Sequence, residues 1–195
     1  MSDSWDDYAA EWDTNPDVIH YANLAFDSLC KYMDIADLAV LDFGCGTGSL
    51  TEKLSGKAAT VVALDSSKKM IQVLEAKKIP RVNALVCDLA QESIDSQPLL
   101  QRKFDLIVAS SVCAFVPDYL QTLSAFKALL KEGGTFIQWD WQRINPKDDF
   151  GFSAQDMERG YVQAGLEVER VGEGFSLTTA KGTMTVLMGI AKKTQ

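Results

Sequence analysis

VLDFGCGTGSLT, residues 40–51, is the stretch that decides the fold of this 195-residue chain. An apolar run ends at an acidic residue and is followed by three glycines at alternate positions, Gly44, Gly46 and Gly48. This pattern predicts a buried strand that turns through a glycine-rich loop into a helix. Because glycine has no side chain, backbone N–H groups and the positive end of the helix can approach a ligand closely. We therefore interpret the turn as a cofactor-binding turn.

The size and charge of the chain limit its class. An apolar content of 47% in 195 residues predicts one globular domain over residues 1–195. A formal net charge of −8 disfavours a nucleic acid or an anionic membrane as a partner, since both attract clustered Lys and Arg. No apolar run approaches the roughly 20 residues of a membrane helix.

The cysteines and the start of the chain indicate a compartment. The four cysteines show neither CxxC pairs nor the His-rich spacing of a metal site, so we predict no metal. The start, MSDSWDDYAAEWD, is acidic where a signal peptide would be basic and then apolar. We predict a cytoplasmic protein with reduced thiols, and the sequence leaves its oligomeric state open.

Downstream of residue 38, short apolar runs alternate with helical patterns. The runs are too short for helices and too continuously apolar for half-exposed strands, which is typical of buried parallel strands. They predict strands over residues 39–43, 60–64, 81–86, 104–110 and 135–141. Helices are predicted between them over residues 50–54, 67–77 and 119–131. The alternation predicts a doubly wound α/β sheet that is covered on both faces.

The two ends of the chain depart from this alternation. Ser153 and Asp156 form a capping-box pattern that opens a helix ending before Gly165. Residues 166–171 and 183–191 then read as two strands without room for a crossover helix, so we predict an antiparallel pair. Residues 1–36 form an N-terminal segment, helical in pattern and rich in aromatic residues, which either closes over the ligand crevice as a lid or simply packs on the sheet.

Acidic and hydroxyl residues follow the predicted strands where ligands bind in open parallel sheets. Asp65 ends the second strand, where a carboxylate can accept both hydroxyls of a ribose, and Asp88 follows the third, at a distance suited to the amine of an adenine. Ser110 and Ser111 end the fourth strand. A dinucleotide site expects a third small residue at position 49, where Ser49 stands, and the third glycine comes one residue early, so the fit to NAD is poor.

Five motifs in this order resemble the class I S-adenosylmethionine-dependent methyltransferases: VLDFGCGTG, VVALDSSKKM, VCDLA, FDLIVASSVCAFVPD and LLKEGGTF. The resemblance runs from about residue 5 to residue 192 and implies a Rossmann-like, seven-stranded sheet, mostly parallel with a C-terminal antiparallel pair. It implies that a bound S-adenosylmethionine has its methionine moiety near residues 42–46, its adenosine near residues 65–70 and 88–89, and its sulfonium near residues 110–115. The implied cofactor-binding residues are Asp42, Gly44, Cys45, Gly46, Asp65, Ser66, Met70, Asp88, Leu89, Ser110, Ser111 and Phe115.

The catalytic residue is less clear than the cofactor site. Many small-molecule members of the family carry a histidine just before Val-Pro-Asp, where this chain has Phe115, so no base is indicated there. The chain also lacks the proline-rich tetrapeptide of nucleic-acid- and amide-directed members. A general base is optional in methyl transfer, and the weak candidates are the sole histidine, His20, together with Asp140 and Asp118.

Aromatic side chains are candidates for the walls of the acceptor pocket. Rings next to a sulfonium contribute by cation–π attraction, although each ring taken alone also fits plain packing. Trp139 and Trp141 share one face of the fifth strand, so if one lines a pocket the other should be close. The further candidates are Trp5, Tyr8, Trp12 and Phe115.

The acceptor pocket is predicted between the N-terminal segment and the loop of residues 142–152. This loop leaves no room for a large substrate domain, so a small-molecule methyl acceptor is expected, with a peptide side chain as the alternative. Two other functions stay open on the sequence: a non-catalytic module that binds the adenosyl cofactor, and a nicotinamide-dependent oxidoreductase.

Overall fold

The computed structural model describes residues 5–89, 94–145, 150–179 and 182–194. The strands are β1 Ala39–Phe43, β2 Thr60–Asp65, β3 Val82–Val86, β4 Phe104–Ser110, β5 Leu130–Trp141, β6 Glu167–Thr179 and β7 Gly182–Lys192. The α-helices are α1 Pro16–Tyr32, α2 Ser49–Ser55, α3 Lys68–Ala76, α4 Tyr119–Leu129 and α5 Ala154–Gln163. Short 3₁₀ turns cover Trp5–Asp7, Trp12–Thr14, Ile94–Ser96, Pro98–Leu100 and Cys113–Phe115.

The strands form one seven-stranded sheet in the order β3-β2-β1-β4-β5-β7-β6. The first five strands are parallel, and β7 runs antiparallel between β5 and β6. The strand order reverses beside β1, because β1 lies between β2 and β4. Both the parallel sheet and the antiparallel C-terminal pair are therefore confirmed. The prediction of a buried strand is wrong for β3, whose side chains are half-buried or exposed because it is an edge strand with one neighbour. The ligand crevice is expected at the carboxyl end of β1.

Each face of the sheet carries its own core because side chains alternate along a strand. Leu41 and Phe43 of β1 pack with α4 and α5, and the ring of Phe43 lies 4.8 Å from that of Phe126. Val40 points to the other face, where it packs with α1 and α2 through Leu29 and Leu54. Both cores hold the carboxyl end of β1, and with it the glycine turn, in a fixed position.

Three predicted boundaries are wrong. The strand predicted over residues 166–171 continues to Thr179 as β6, because it stays paired with β7 over that whole length. The helix predicted over residues 119–131 ends at Leu129, and Leu130 has the extended backbone of a strand (φ −73°, ψ 144°) and pairs with Phe104. The fully buried side chain of Leu130 and the left-handed turn at Gly133 (φ +74°) favour this early strand over another helical turn. The predicted N-terminal helix instead begins at Pro16, because the Asn15 side chain caps it by accepting the N–H of Asp17. Residues 1–4 of the predicted N-terminal segment lie outside the described residues.

The capping box that opens α5 is confirmed. The Ser153 hydroxyl accepts the N–H of Asp156, and the Asp156 carboxylate accepts the N–H of Ser153, both at 3.2 Å. We expect Ser153→Ala to lower the free energy of unfolding by about 1 kcal/mol, because the cap is lost. Urea unfolding checks this, with Ser124→Ala on the exposed side of α4 as the matched control. Equal losses in the two variants would contradict the assigned role of the cap.

Candidate functional site

A cavity of about 1240 Å³ opens at the carboxyl ends of the parallel strands. This volume exceeds the roughly 300–1,000 Å³ of a pocket for one drug-sized ligand. The twelve residues that the sequence nominates for the cofactor all line it: Asp42, Gly44, Cys45, Gly46, Asp65, Ser66, Met70, Asp88, Leu89, Ser110, Ser111 and Phe115. Their convergence follows from the topology, since the ends of parallel strands meet at one edge of a sheet.

The glycine turn has the geometry that its sequence predicts. Gly44 is left-handed (φ +67°), and a Cβ atom there would lie 2.3 Å from Cγ2 of Val112. The N–H groups of Gly44 and Cys45 both donate to the carbonyl of Leu64, at 2.8 and 3.0 Å. The turn therefore closes against the end of β2 and the loop after β4, and a side chain at residue 44 would force them apart.

Asp65 anchors the glycine turn to the start of α3. Its carboxylate accepts the N–H of Gly46 and the N–H of Ser67, each at 2.8 Å. Burial raises the pKa of Asp65, and these two N–H groups act against that rise. Each carboxylate oxygen accepts more than one hydrogen bond, so the Asp65 carboxylate retains acceptor capacity toward the cavity that it lines.

Asp42 is a second buried carboxyl group beside the turn. Its side chain accepts the Thr51 hydroxyl at 2.6 Å. Burial is the main cause that raises the pKa of Asp42 to about 7, the Thr51 hydrogen bond opposes the rise, and the Asp65 charge adds to it. Among the described residues no cationic side chain forms a salt bridge with either carboxylate. A buried and a half-buried carboxyl group that lie close together without a counter-charge favour a cationic ligand.

The N-terminal segment crosses over the glycine turn and the start of α3. Asp6 accepts the Ser67 hydroxyl at 2.5 Å, and this hydrogen bond is the main cause that lowers the pKa of Asp6. Asp13 accepts the Thr47 hydroxyl at 2.6 Å and pairs with the Lys77 ammonium at 2.8 Å. Neither contact is predictable from the sequence, because nothing in the acidic start of the chain indicates which hydroxyl each carboxylate meets.

Aromatic side chains of the same segment extend the cavity wall. The indole Nε1 of Trp12 lies 3.4 Å from the point where a Cβ of Gly46 would stand. The ring of Trp5 packs edge-on against that of Phe115, with 5.1 Å between centroids. Trp5, Trp12 and Phe115 all line the cavity. The N-terminal segment thus bridges the glycine turn and the loop after β4.

Ser111 turns the chain at the end of β4 in a strained conformation. Its φ of +56° is uncommon for a residue with a side chain. The turn is held because the Ser111 N–H donates to the carbonyl of Trp139 at 2.7 Å. Strained backbone of this kind clusters at functional sites, and Ser110 and Ser111 both line the cavity.

The three candidate bases occupy different places. His20 is exposed on α1 and does not line the cavity. Asp118 is exposed and caps α4 by accepting the N–H of Gln121 at 2.9 Å. Asp140 is fully buried behind the Ser111 turn, where its carboxylate accepts the Gln138 amide at 2.9 Å. Of the three, Asp140 alone is buried, and none of them lines the cavity.

The Asp140 carboxyl has an unusual environment. Burial raises its pKa to about 7, and the Gln138 side chain and the N–H groups of Ala114 and Cys113 oppose the rise. Gln138 is itself fixed, because its amide oxygen accepts the hydroxyls of Tyr119 at 2.7 Å and Tyr161 at 3.0 Å. A carboxyl group with this pKa can change its protonation state near neutral pH.

Trp139 and Trp141 both point toward the core that α1 covers. Trp141 lines the cavity, whereas Trp139 is fully buried and donates its indole N–H to the Ser28 hydroxyl at 2.9 Å. Trp141 lines the end of the cavity near β5 and β7. Of this end, the sequence predicted only the loop of residues 142–152. The loop of residues 142–152 contributes Phe150, and its residues 146–149 lie outside the described residues. Leu177 and Met184 of the hairpin of β6 and β7 also line the cavity, and neither residue was predicted from the sequence.

The described residues contain neither a metal-binding cluster nor a membrane-spanning helix. In residues 5–89, 94–145, 150–179 and 182–194, no group of three or more His, Cys, Asp or Glu side chains is arranged to hold a metal ion. In the same ranges, no helix combines the length and the apolar character needed to cross a membrane.

Comparisons with known proteins relate this chain to methyltransferases. A family model described as a methyltransferase domain matches residues 41–136. The ubiquinone biosynthesis O-methyltransferase of Histophilus somni (strain 2336) is 30% identical over 149 residues, which cover 70% of this chain and 58% of that protein. The protein of the same name from Actinobacillus pleuropneumoniae serotype 5b (strain L20) is 35% identical over 103 residues, 50% of this chain and 43% of the relative. The chain thus spans about half the length of these relatives.

A solved structure matches over the full length. It is the complex between the Haloferax volcanii Trm112 methyltransferase activator and a methyltransferase, with a TM-score of 0.80 and 19% identity over 100% of both chains. At this identity the similarity concerns the fold, and it covers the whole sheet together with the N-terminal segment.

Proposed function

The chain belongs to the class I S-adenosylmethionine-dependent methyltransferases, and we propose that it transfers the methyl group of S-adenosylmethionine to a small-molecule acceptor. The observation that carries the proposal is the single cavity in which the glycine turn, the carboxyl groups of Asp42 and Asp65, and the strand-end residues Asp88 and Ser111 meet. Its volume of about 1240 Å³ accommodates a donor and an acceptor together.

The charges in the cavity fit this cofactor better than a dinucleotide. S-adenosylmethionine carries a sulfonium and an ammonium group, and the buried Asp42 and the half-buried Asp65 lie beside the glycine turn without a salt-bridge partner among the described residues. An anionic pyrophosphate at the same turn would be repelled by these carboxylates. We assign the methionine moiety to the region of Asp42 and the glycine turn, and the ribose hydroxyls to Asp65.

The residues of this chain mainly orient and enclose the reactants. When bound, the cofactor supplies a methyl group that is already activated on a sulfonium. Asp65 and the glycine turn would fix its position, and alignment of donor and acceptor lowers the entropic part of the barrier to such a displacement. Trp5, Trp12 and Phe115 exclude water from the reacting atoms and add cation–π attraction to the sulfonium. In this role residues 1–36 act as a lid.

A small-molecule acceptor is supported by the enclosure of the cavity. The N-terminal segment lies over the glycine turn, and the hairpin of β6 and β7 lies beside the opposite end, so the remaining space suits a compact molecule. The names of the two relatives, which concern ubiquinone biosynthesis, point in the same direction.

Ligand-dependent thermal unfolding tests the proposal. A ligand at 100 times its Kd adds about 2.7 kcal/mol to stability, which raises the Tm of a domain of this size by about 5–10 °C. We expect this rise with S-adenosylmethionine and with S-adenosylhomocysteine, and formation of S-adenosylhomocysteine with members of a small-molecule acceptor panel. No shift with either compound, or a shift with NADH alone, would overturn the proposal.

A further inference from the structure

The cavity has two ends that lie far apart on the sheet. Asp65 and Asp88 line the first end, at the carboxyl ends of β2 and β3. The second end lies at β5 and β7, and five strand steps separate β3 from β7 in the sheet. At about 4.8 Å a step this is roughly 24 Å, which leaves the second end free when a nucleoside occupies the first. We call the second end the β5–β7 chamber; its lining residues are Val18, Tyr21, Trp141, Phe150, Leu177 and Met184.

The long hairpin of β6 and β7 builds one wall of the chamber. The pairing of β5 with β7 stops at Trp141 and Val186, so residues 182–185 project past the end of β5. Leu177 of β6 and Met184 of β7 are direct partners in this projecting part. Leu177 is 1% exposed, so it is fixed by packing even though it borders the cavity.

Aromatic rings build the facing wall. Tyr21 of α1 packs edge-on against Trp141, with 5.3 Å between ring centroids, and against Phe175, with 5.1 Å. Phe150 adds another ring at the rim of the chamber. Rings in this arrangement favour a flat, apolar ligand that can stack or pack edge-on among them.

One polar group interrupts the apolar walls, at the Ser111 turn. Tyr21 Oη and Asp140 Oδ1 are the two buried side-chain polar atoms in the described part of the chain that make no hydrogen bond of normal geometry. Tyr21 on α1 and Asp140 on β5 both lie close to this turn: burial raises the pKa of each, the Ser111 side chain opposes the rise at Tyr21, and the N–H groups of Ala114 and Cys113 oppose it at Asp140. Of these two residues Tyr21 lines the cavity, so its buried hydroxyl beside Ser111 indicates a place for a further hydrogen-bonding group of a ligand.

We propose that the β5–β7 chamber binds the methyl acceptor, and that this acceptor is a planar aromatic compound whose hydroxyl group faces Ser111. The inference rests on the proposed methyltransferase function. A bond forms between the hydroxyl oxygen and the methyl carbon, the bond from that carbon to sulfur breaks, and its electron pair stays on sulfur. Ser111 orients the acceptor hydroxyl at the cavity wall, and the proton that this hydroxyl loses passes to water.

Filling the chamber tests the inference. Leu177→Trp and Met184→Trp place an indole in the chamber from the two partner positions, and Thr178→Trp adds the same group on the exposed face of the hairpin as a matched control. The substrates are catechol, 2-naphthol and 4-hydroxybiphenyl, with decahydro-2-naphthol as the saturated counterpart. The measured quantities are the rate of S-adenosylhomocysteine formation and the Tm shift with S-adenosylhomocysteine.

We expect the wild type to methylate at least one of the phenols with a kcat/KM about tenfold or more above that for the saturated alcohol. Either chamber variant should lower kcat/KM for that phenol by about tenfold or more, mainly through KM, and keep the Tm shift. Thr178→Trp should change neither quantity.

The outcomes separate the two proposals. A wild type without a Tm shift defeats the methyltransferase function itself. A wild type with the shift that methylates none of the phenols, or methylates the saturated alcohol equally well, defeats the assignment of the acceptor class. Chamber variants that keep both the shift and full activity on the phenol defeat the location.

Discussion

Asp65→Ala is expected to weaken the binding of S-adenosylmethionine and S-adenosylhomocysteine by about 100-fold or more. A hydrogen bond to a charged group contributes about 1.5–3 kcal/mol, and the carboxylate is assigned to two ribose hydroxyls. The variant also loses the acceptors of the Gly46 and Ser67 N–H groups, which hold the glycine turn against α3. Both effects act on the cofactor end of the cavity. The loss of affinity for the cofactor should therefore be among the largest that one substitution causes.

Calorimetric titration with S-adenosylhomocysteine measures this effect, and two further variants separate binding from folding. Asp65→Asn keeps the size and one acceptor oxygen, so we expect an intermediate loss of affinity. Asp105→Ala is the matched control: its carboxylate also accepts a backbone N–H, that of Ala39 at 2.9 Å, but at the amino end of the strands and outside the cavity. It should lower stability and leave affinity unchanged. Wild-type affinity in Asp65→Ala would contradict the assigned role.

The parallel half of the sheet could be predicted because its signals are local. Each strand from β1 to β4 is a short apolar run, and each is followed by the residues that line the cavity, so one strand end after another could be located without knowing the contacts. The glycine turn is the clearest case. Its left-handed conformation at Gly44 is a property of the residue type, and its position follows from the strand before it.

Long-range contacts could not be predicted in the same way. Leu177 and Met184 read as ordinary strand residues, and only the length by which the hairpin passes the end of β5 brings them to the cavity. Tyr21 reads as one aromatic residue of an amphipathic helix, and its place beside Ser111 depends on how α1 packs on the sheet. The early end of α4 has a similar origin, because the burial of Leu130 beside Phe104 outweighs the local helical pattern.

Asp140→Asn is expected to abolish a loss of stability that the wild type undergoes as the pH rises. The pKa of this carboxyl is raised from an ordinary 3.8 to about 7 in the folded protein, mainly by burial. The folded state therefore holds a proton that the unfolded state has lost, and the stability from that proton is present below pH 4 and lost as the pH approaches 7. Between pH 5 and pH 8 the variant should gain up to about 3 kcal/mol relative to the wild type.

Urea unfolding of both proteins at several pH values between 5 and 8 measures this difference. Replacing a hydrogen-bonded carboxyl by an amide adds an offset that does not depend on pH, so the slope against pH is the informative quantity. The groups that face Asp140 from the neighbouring elements are weak acids without a positive charge: Tyr21 on α1, Cys113 in the turn after β4, Tyr119 on α4 and Tyr161 on α5. These groups do not supply a cation that would return the pKa to its ordinary value.

Asp105→Asn gives a control of opposite sign. Burial acts to raise the pKa of Asp105, but Lys131 and the Ala39 N–H together hold that pKa below its ordinary value. The contribution of the Asp105 carboxylate to stability is therefore lost as the pH falls. A flat difference in stability between Asp140→Asn and the wild type across this pH range would show that Asp140 keeps an ordinary pKa.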